Sequence, residues 1–220
     1  MFNFSRWNKD GLSLAEMMVV LIIFSMISAG IFAVFSTGQA TWFNTEASIE
    51  LQQNMRFTLE KVTREMNESG FDGNGVSQLV ISDGTGVNGT DIVRFAMPIL
   101  CQSNMNVLDA NGDVAYWGAS LSWGCTNSSC MDADDDCSTV DYKYIQYLIN
   151  TDNELIRRVL DNNNAVVQED VFARYIVNFQ ATANADGDLI TVQITASKSS
   201  FLNMVISAST SMDVNLRNRG

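Results

Sequence analysis

The chain has 220 residues, room for one domain plus an anchor, and its 25 acidic against 13 basic residues give a formal net charge of −12. An acidic surface repels phosphate, which argues against bulk nucleic-acid binding. Histidine is absent, so no Ser/His/Asp or Cys/His set can be assembled; no Gly-rich phosphate loop follows a strand-like run, and no enzymatic role is expected.

The first eleven residues hold Arg6, Lys9 and Asp10, a net +1 that leaves −13 on the remainder. From Met17 to Thr45 no residue is charged, and Glu16 is the only charge in the 24 residues from Leu12 to Phe35. A helix of that length covers about 36 Å, against roughly 30 Å of bilayer hydrocarbon, so a membrane helix is expected. Arg6 and Lys9 precede it while Glu46 and Glu50 follow. The positive-inside rule then keeps the N-terminus cytoplasmic and sends residues from about 40 onward outside. An ordinary removable signal has no reason to carry Glu16, because a carboxylate costs about 2.5–3.5 kcal/mol at the bilayer centre.

Gly11-Leu12-Ser13-Leu14-Ala15-Glu16, ahead of that uncharged run, resembles the class III leader of type IV pilins and type II secretion pseudopilins. The resemblance implies that a prepilin peptidase cuts between Gly11 and Leu12, where a residue without Cβ lets the protease approach the backbone, and methylates Leu12. It also implies that Glu16, then the fifth mature residue, docks on the N-terminal ammonium of a neighbouring subunit. Two departures stand out: Leu12 replaces the usual phenylalanine, and the anchor lacks the proline of many major pilins. The implied partners are prepilin peptidase, other major and minor pilins, an inner-membrane assembly platform and the lipid bilayer. The implied location is the bacterial inner membrane, crossed once, and the pilus filament or its tip.

Helical periodicity continues past the anchor. Leu51, Met55, Leu59, Val62 and Met66 are spaced 4, 4, 3 and 4, one helix face. Glu60 and Arg64 are placed as a favourable i,i+4 pair, and Gly70 is the expected C-terminal cap. Leu12 to about Ser69 then reads as one bent helix about 85 Å long, with Gly30 and Gly38 as flexing points. Beyond Gly70 turn clusters such as Asp72-Gly73-Asn74-Gly75 alternate with β-like runs at 78–82, 91–97, 142–149, 154–160, 171–182, 189–197 and 204–216. The expected fold is α+β: a long N-terminal helix, membrane-spanning in its first half, packed on a mostly antiparallel sheet. The expected divisions are a leader at 1–11, an anchor and filament-core helix at 12–37, an amphipathic half at 38–70, and a β-rich extracytoplasmic domain at 71–220 with an insert at about 98–140.

That insert holds Cys101, Cys125, Cys130 and Cys137, separated by 24, 5 and 7 residues. Zinc sites commonly pair thiolates two or three residues apart, and the compartment outside the membrane is oxidising, so two disulfides are expected. Three connectivities are open, with Cys101–Cys125 plus Cys130–Cys137 the one favoured. Asp132, Asp134 and Asp136 place carboxylates at i, i+2 and i+4, as in a Ca²⁺ loop, and Asp109-Ala110-Asn111-Gly112-Asp113 alternates similarly. Neither run has an EF-hand's position-six glycine and terminal glutamate, and an acidic solvated loop is the plainer expectation. Tyr116, Trp117 and Trp123 are expected as local core rather than an adhesive patch.

Three further stretches are similar to PilW-type minor pilins and J-type pseudopilins: Asn54-Met55-Arg56-Phe57 through Ser69-Gly70-Phe71, Leu155-Ile156-Arg157-Arg158 followed by Val171, and Val214-Asn215-Leu216-Arg217-Asn218. This likeness implies a minor pilin that initiates, primes or caps a filament. The alternatives are a type II secretion pseudopilin and an adhesive or DNA-uptake tip subunit.

Overall fold

A capping box opens the long helix α1 (Leu14–Asn67): the Ser13 hydroxyl accepts from the Glu16 amide while the Glu16 carboxylate accepts from the Ser13 amide. The structure, a computed structural model, describes residues 13–82, 84, 90–99, 107–121, 123, 142–200 and 203–216. α1 runs for 54 residues, about 80 Å, unbroken through Gly30 and Gly38. It ends two residues before the expected place. Its C-cap is Glu68 in the right-handed helical region; the Glu68 amide donates to the Glu65 carbonyl and the Ser69 amide to the Met66 carbonyl. Gly70 instead accepts the Gln78 amide, so it starts the β region rather than capping the helix.

Among the described residues ten strands follow: β1 (Leu79–Ser82), β2 (Ile92–Phe95), β3 (Met97–Pro98), β4 (Trp117–Gly118), β5 (Tyr144–Ile149), β6 (Glu154–Leu160), β7 (Val166–Arg174), β8 (Ile176–Ala183), β9 (Leu189–Ser199) and β10 (Val205–Asn215). They form a five-stranded sheet in the order β1-β2-β5-β6-β7, a three-stranded sheet β10-β9-β8 and a two-stranded ribbon β3-β4. Every pairing is antiparallel. This is the expected α+β fold of a helix on antiparallel sheet. Three of the hairpin turns share one device. In each, an Asn or Asp side-chain oxygen (Asn150, Asp161, Asn184) accepts backbone amides four residues on, which mimics a turn hydrogen bond.

The stretch expected as a single strand at 171–182 is two strands in different sheets. Tyr175 separates them with φ of 66°, a left-handed conformation that breaks the ladder and hands the chain from β6 to β9. Asp91 closes the resulting seam. Its amide donates to the Phe179 carbonyl, and its buried Oδ2 accepts from the Ala181 amide at 2.8 Å.

One hydrophobic core joins both sheets to the helix. Leu51, Met55, Leu59, Val62 and Met66 supply the helix stripe. Val93, Phe95, Ile145, Tyr147, Leu155 and Val159 come from the five-stranded sheet, and Phe179, Ile190, Val192, Ile194 and Val214 from the other. Strand side chains alternate faces, so only alternate residues are committed, as in Ile190, Val192, Ile194 and Ala196 of β9.

Candidate functional site

The first half of α1 packs against no other element among the described residues. Every residue from Ser13 to Gln39 is exposed, and burial begins at Ala47. An uncharged stretch with Val, Leu, Ile and Phe on all faces would be unstable in water. The helix has the length and composition to cross a membrane. At its start Glu16 is folded back on the helix N-terminus, with Oε2 2.8 Å from the Ser13 nitrogen. The positive end of the helix dipole and a donated N–H both favour a carboxylate there. Oε1 makes no hydrogen bond among the described residues, which leaves one oxygen for an external cation.

The second half is held on the sheets by a buried polar clamp. Glu65, on the core-facing side of α1, meets the fully buried Arg157 of β6 through two parallel bonds of 3.0 Å, Nε to Oε2 and Nη2 to Oε1. The Tyr147 hydroxyl of β5 donates to Oε2 at 2.6 Å. Arg157 also donates to the carbonyls of Ser120 and Leu121 at 2.7 and 3.0 Å. The bidentate fork suits a planar guanidinium and would not be reproduced by lysine. Burial, with the Glu65 charge beside it, pushes the Tyr147 phenol well above its ordinary range, so it stays a donor.

A second tie lies on the helix flank. The Lys61 ammonium stands 4.3 Å from the Phe57 ring centroid, 4.9 Å from Trp123 and 5.0 Å from Phe172. Trp123 donates its indole N–H to the Lys61 carbonyl. The expected Glu60–Arg64 ion pair is not among the described ones; the Arg64 guanidinium lies 5.6 Å from the Trp123 ring instead. Trp117 is buried in β4, and Tyr116 packs on the core.

Of the residues singled out for processing and docking, only Glu16 is among those described. Gly11 and Leu12, the cysteines at 101, 125, 130 and 137, and Asp132, Asp134 and Asp136 lie outside them. The second acidic alternation is visible and serves a turn. Asp109 Oδ1 accepts the Asn111 and Asp113 amides at 2.8 and 3.0 Å, and these bonds lower its pKa below the ordinary value. Asp113 in turn packs its carboxylate where a Cβ on Gly73 would sit, so any other residue at 73 would displace that carboxylate. Among the described residues no three acidic, Cys or His side chains gather as a metal site.

The clamp was not foreseen, although its signal was present. Leu155, Arg157 and Val159 share one strand face, so an arginine inside an apolar row demands a buried anion. Glu65 sits three residues after Val62, on the helix stripe.

Among known families, the model of the prokaryotic N-terminal methylation motif matches residues 8–32, a stretch that includes Gly11, Leu12 and Glu16. No curated protein and no solved structure matches the chain. The motif points to a structural subunit rather than an enzyme.

Proposed function

We propose, from a motif that supports a place in the type IV pilin-like superfamily, that this chain is a minor type IV pilin that helps to initiate, prime or cap a filament. The observation that carries the reading is the match at 8–32 leading straight into a helix whose first half is bare and whose second half is clamped to a folded head. A prepilin peptidase acts at Gly11, and Leu12 becomes the methylated N-terminus. The capping box survives that cut, because Ser13 keeps its amide. Glu16 then offers its remaining oxygen to the ammonium of a neighbouring pilin, which removes the cost of a lone carboxylate in lipid. The bare helix packs among other pilin helices once drawn from the bilayer. The cysteines pair as disulfides outside the membrane, and Asp132, Asp134 and Asp136 are the candidate Ca²⁺ ligands.

The PilW-like and J-like stretches support a minor subunit over a bulk one, and a secretion pseudopilin would share all of these features. The mass of the N-terminal peptide of protein taken from its native membrane tests the reading. A peptide beginning at Leu12 with one added methyl is expected. A chain starting at Met1, or cut near residues 30–40, overturns it. A deletion strain that loses pili but still secretes favours the pilus; the reverse phenotype favours the secretion alternative.

A further inference from the structure

One long edge of the two larger sheets is left open among the described residues, and it belongs to β10. The β9–β10 ladder runs without a shift from Val205 to Asn215. At its two ends the Ser200 amide donates to the Met204 carbonyl and the Leu216 amide to the Asp188 carbonyl. Bonded pairs recur at every second residue of an antiparallel ladder, so the even-numbered residues of β10 are spent on β9. The amides and carbonyls of Val205, Ser207, Ser209, Ser211, Asp213 and Asn215 point the other way, and no described residue bonds to them. The other edges are blunted, as strand edges usually are. β1 has four residues, β7 carries Glu169 and Asp170 beside two register shifts, and Asp91 and Asn153 cover β8. β10 has eleven residues, no proline and one charge, Asp213.

The end of this edge away from the anchor borders a groove of about 340 Å³. Glu60, Thr63, Arg64 and Asn67 of α1 line one side, and residues 212–215 of β10 line the other. Met212 is 42% exposed, so α1 flanks this stretch of β10 without covering it. Asn67 brings a buried side-chain oxygen that has no hydrogen-bond partner among the described residues. A buried acceptor of this kind calls for a donor. The groove's charges are two carboxylates, Glu60 and Asp213, against the one guanidinium of Arg64.

We propose that this groove takes an extended segment of a different protein, neutral to basic in charge, as an added strand on β10. Main-chain bonds to Ser211, Asp213 and Asn215 supply the hold, as in other strand additions at a sheet edge. A donor on the segment satisfies Asn67, and a basic side chain suits Glu60 and Asp213 on a chain that carries −12. A second copy of this chain does not fit. Two copies repel, and the edges at β1, β7 and β8 are blunted. The Asn44 amide donates to the Met204 sulfur at 3.5 Å and Thr63 to the Met212 sulfur at 3.3 Å, so β10 ascends beside α1. An antiparallel pair of β10 strands would then point the two anchors in opposite directions, an exclusion that rests on α1 being a membrane anchor.

Two measurements on the full chain test this. In detergent, Ser211→Pro removes an amide that faces away from β9 and should leave the urea midpoint close to that of the unmodified chain. Thr210→Pro removes an amide of the ladder and should lower the midpoint clearly. Equal losses, or the reverse order, overturn the open edge. In the native cells, the photocrosslinker p-benzoylphenylalanine replaces Glu60 on the groove wall. Irradiation should give one discrete protein adduct that is lost with Ser211→Pro and kept with Ser211→Val, which changes the side chain but retains the amide. No protein adduct, or one that survives Ser211→Pro, overturns the added strand. An adduct of twice the chain's own mass overturns the choice of a different protein. The mass of the N-terminal peptide, which tests the pilin reading, is independent of each of these outcomes.

Discussion

Arg157 and Glu65 are a charged pair with side-chain exposures of 0% and 6%, and their value lies in what happens when one is left alone. Removing one partner strands a buried charge, at about 3–5 kcal/mol, whereas replacing both with apolar side chains of similar volume is near neutral. Glu65→Leu and Arg157→Met are each expected to lower the stability of the chain in detergent by that amount, and the double variant to recover most of it. Urea unfolding followed by tryptophan fluorescence gives the three midpoints; additive losses would mean the two side chains do not act as a pair. Tyr147 supplies a pH dependence of definite sign. Its folded pKa is raised by burial and by Glu65, while in the unfolded chain it ionises near pH 10. Stability is therefore unaffected below about pH 10 and falls as pH rises above it, by up to about 1.4 kcal/mol per unit. Alkaline titration should show one of the five tyrosines ionising only together with unfolding, read by tyrosinate absorbance. At this scale the sequence was half legible. Glu16 announced itself as a lone charge in a bare span, while Glu65 and Arg157 hid among ordinary charges because their pairing spans 92 residues.

Elements were more readable than their ends. The helix stripe Leu51 to Met66 was visible from spacing and is buried as read. The strands at 79–82, 144–149, 154–160 and 189–199 followed from β-branched runs between turn residues. The failure at 171–182 has a plain cause. Phe172 to Ala181 keeps strand composition throughout, and the break depends on the φ of one tyrosine, which no local pattern encodes. At that break Asp91 adds a polar tie between the two sheets, its carboxylate taking the Ala181 amide and the Gly84 amide. Asp91→Ala leaves those donors unpaired, at about 1–3 kcal/mol for a buried group. Amide hydrogen exchange should accelerate at Ala181 and along β8 while β5 and β6 keep their protection. Uniform acceleration over all strands would mean that the loss is global rather than a loosened seam.

For the whole molecule, the decisive fact is where burial starts on a helix that otherwise has no break. Residues 13–39 contribute nothing to the core, and the side chains that do begin at Ala47 and end at Met66. The head therefore owes its stability to the last six turns of α1, the two sheets and the clamp between them, while the first half owes its order to a membrane or to other helices. A chain beginning at Trp42 should be water-soluble and monomeric, since about 30 mostly apolar exposed residues are gone and every core contact remains. Its urea midpoint should match that of the full chain in mild detergent, with the same response to Glu65→Leu. Beginning instead at Asn54 removes Ala47 and Leu51, and the loss of a fully buried leucine alone costs about 2–5 kcal/mol. That shorter chain should unfold at distinctly lower urea. Equal midpoints for the two truncations would mean that the helix seat begins later than Ala47, and that the anchor half is longer than its burial indicates.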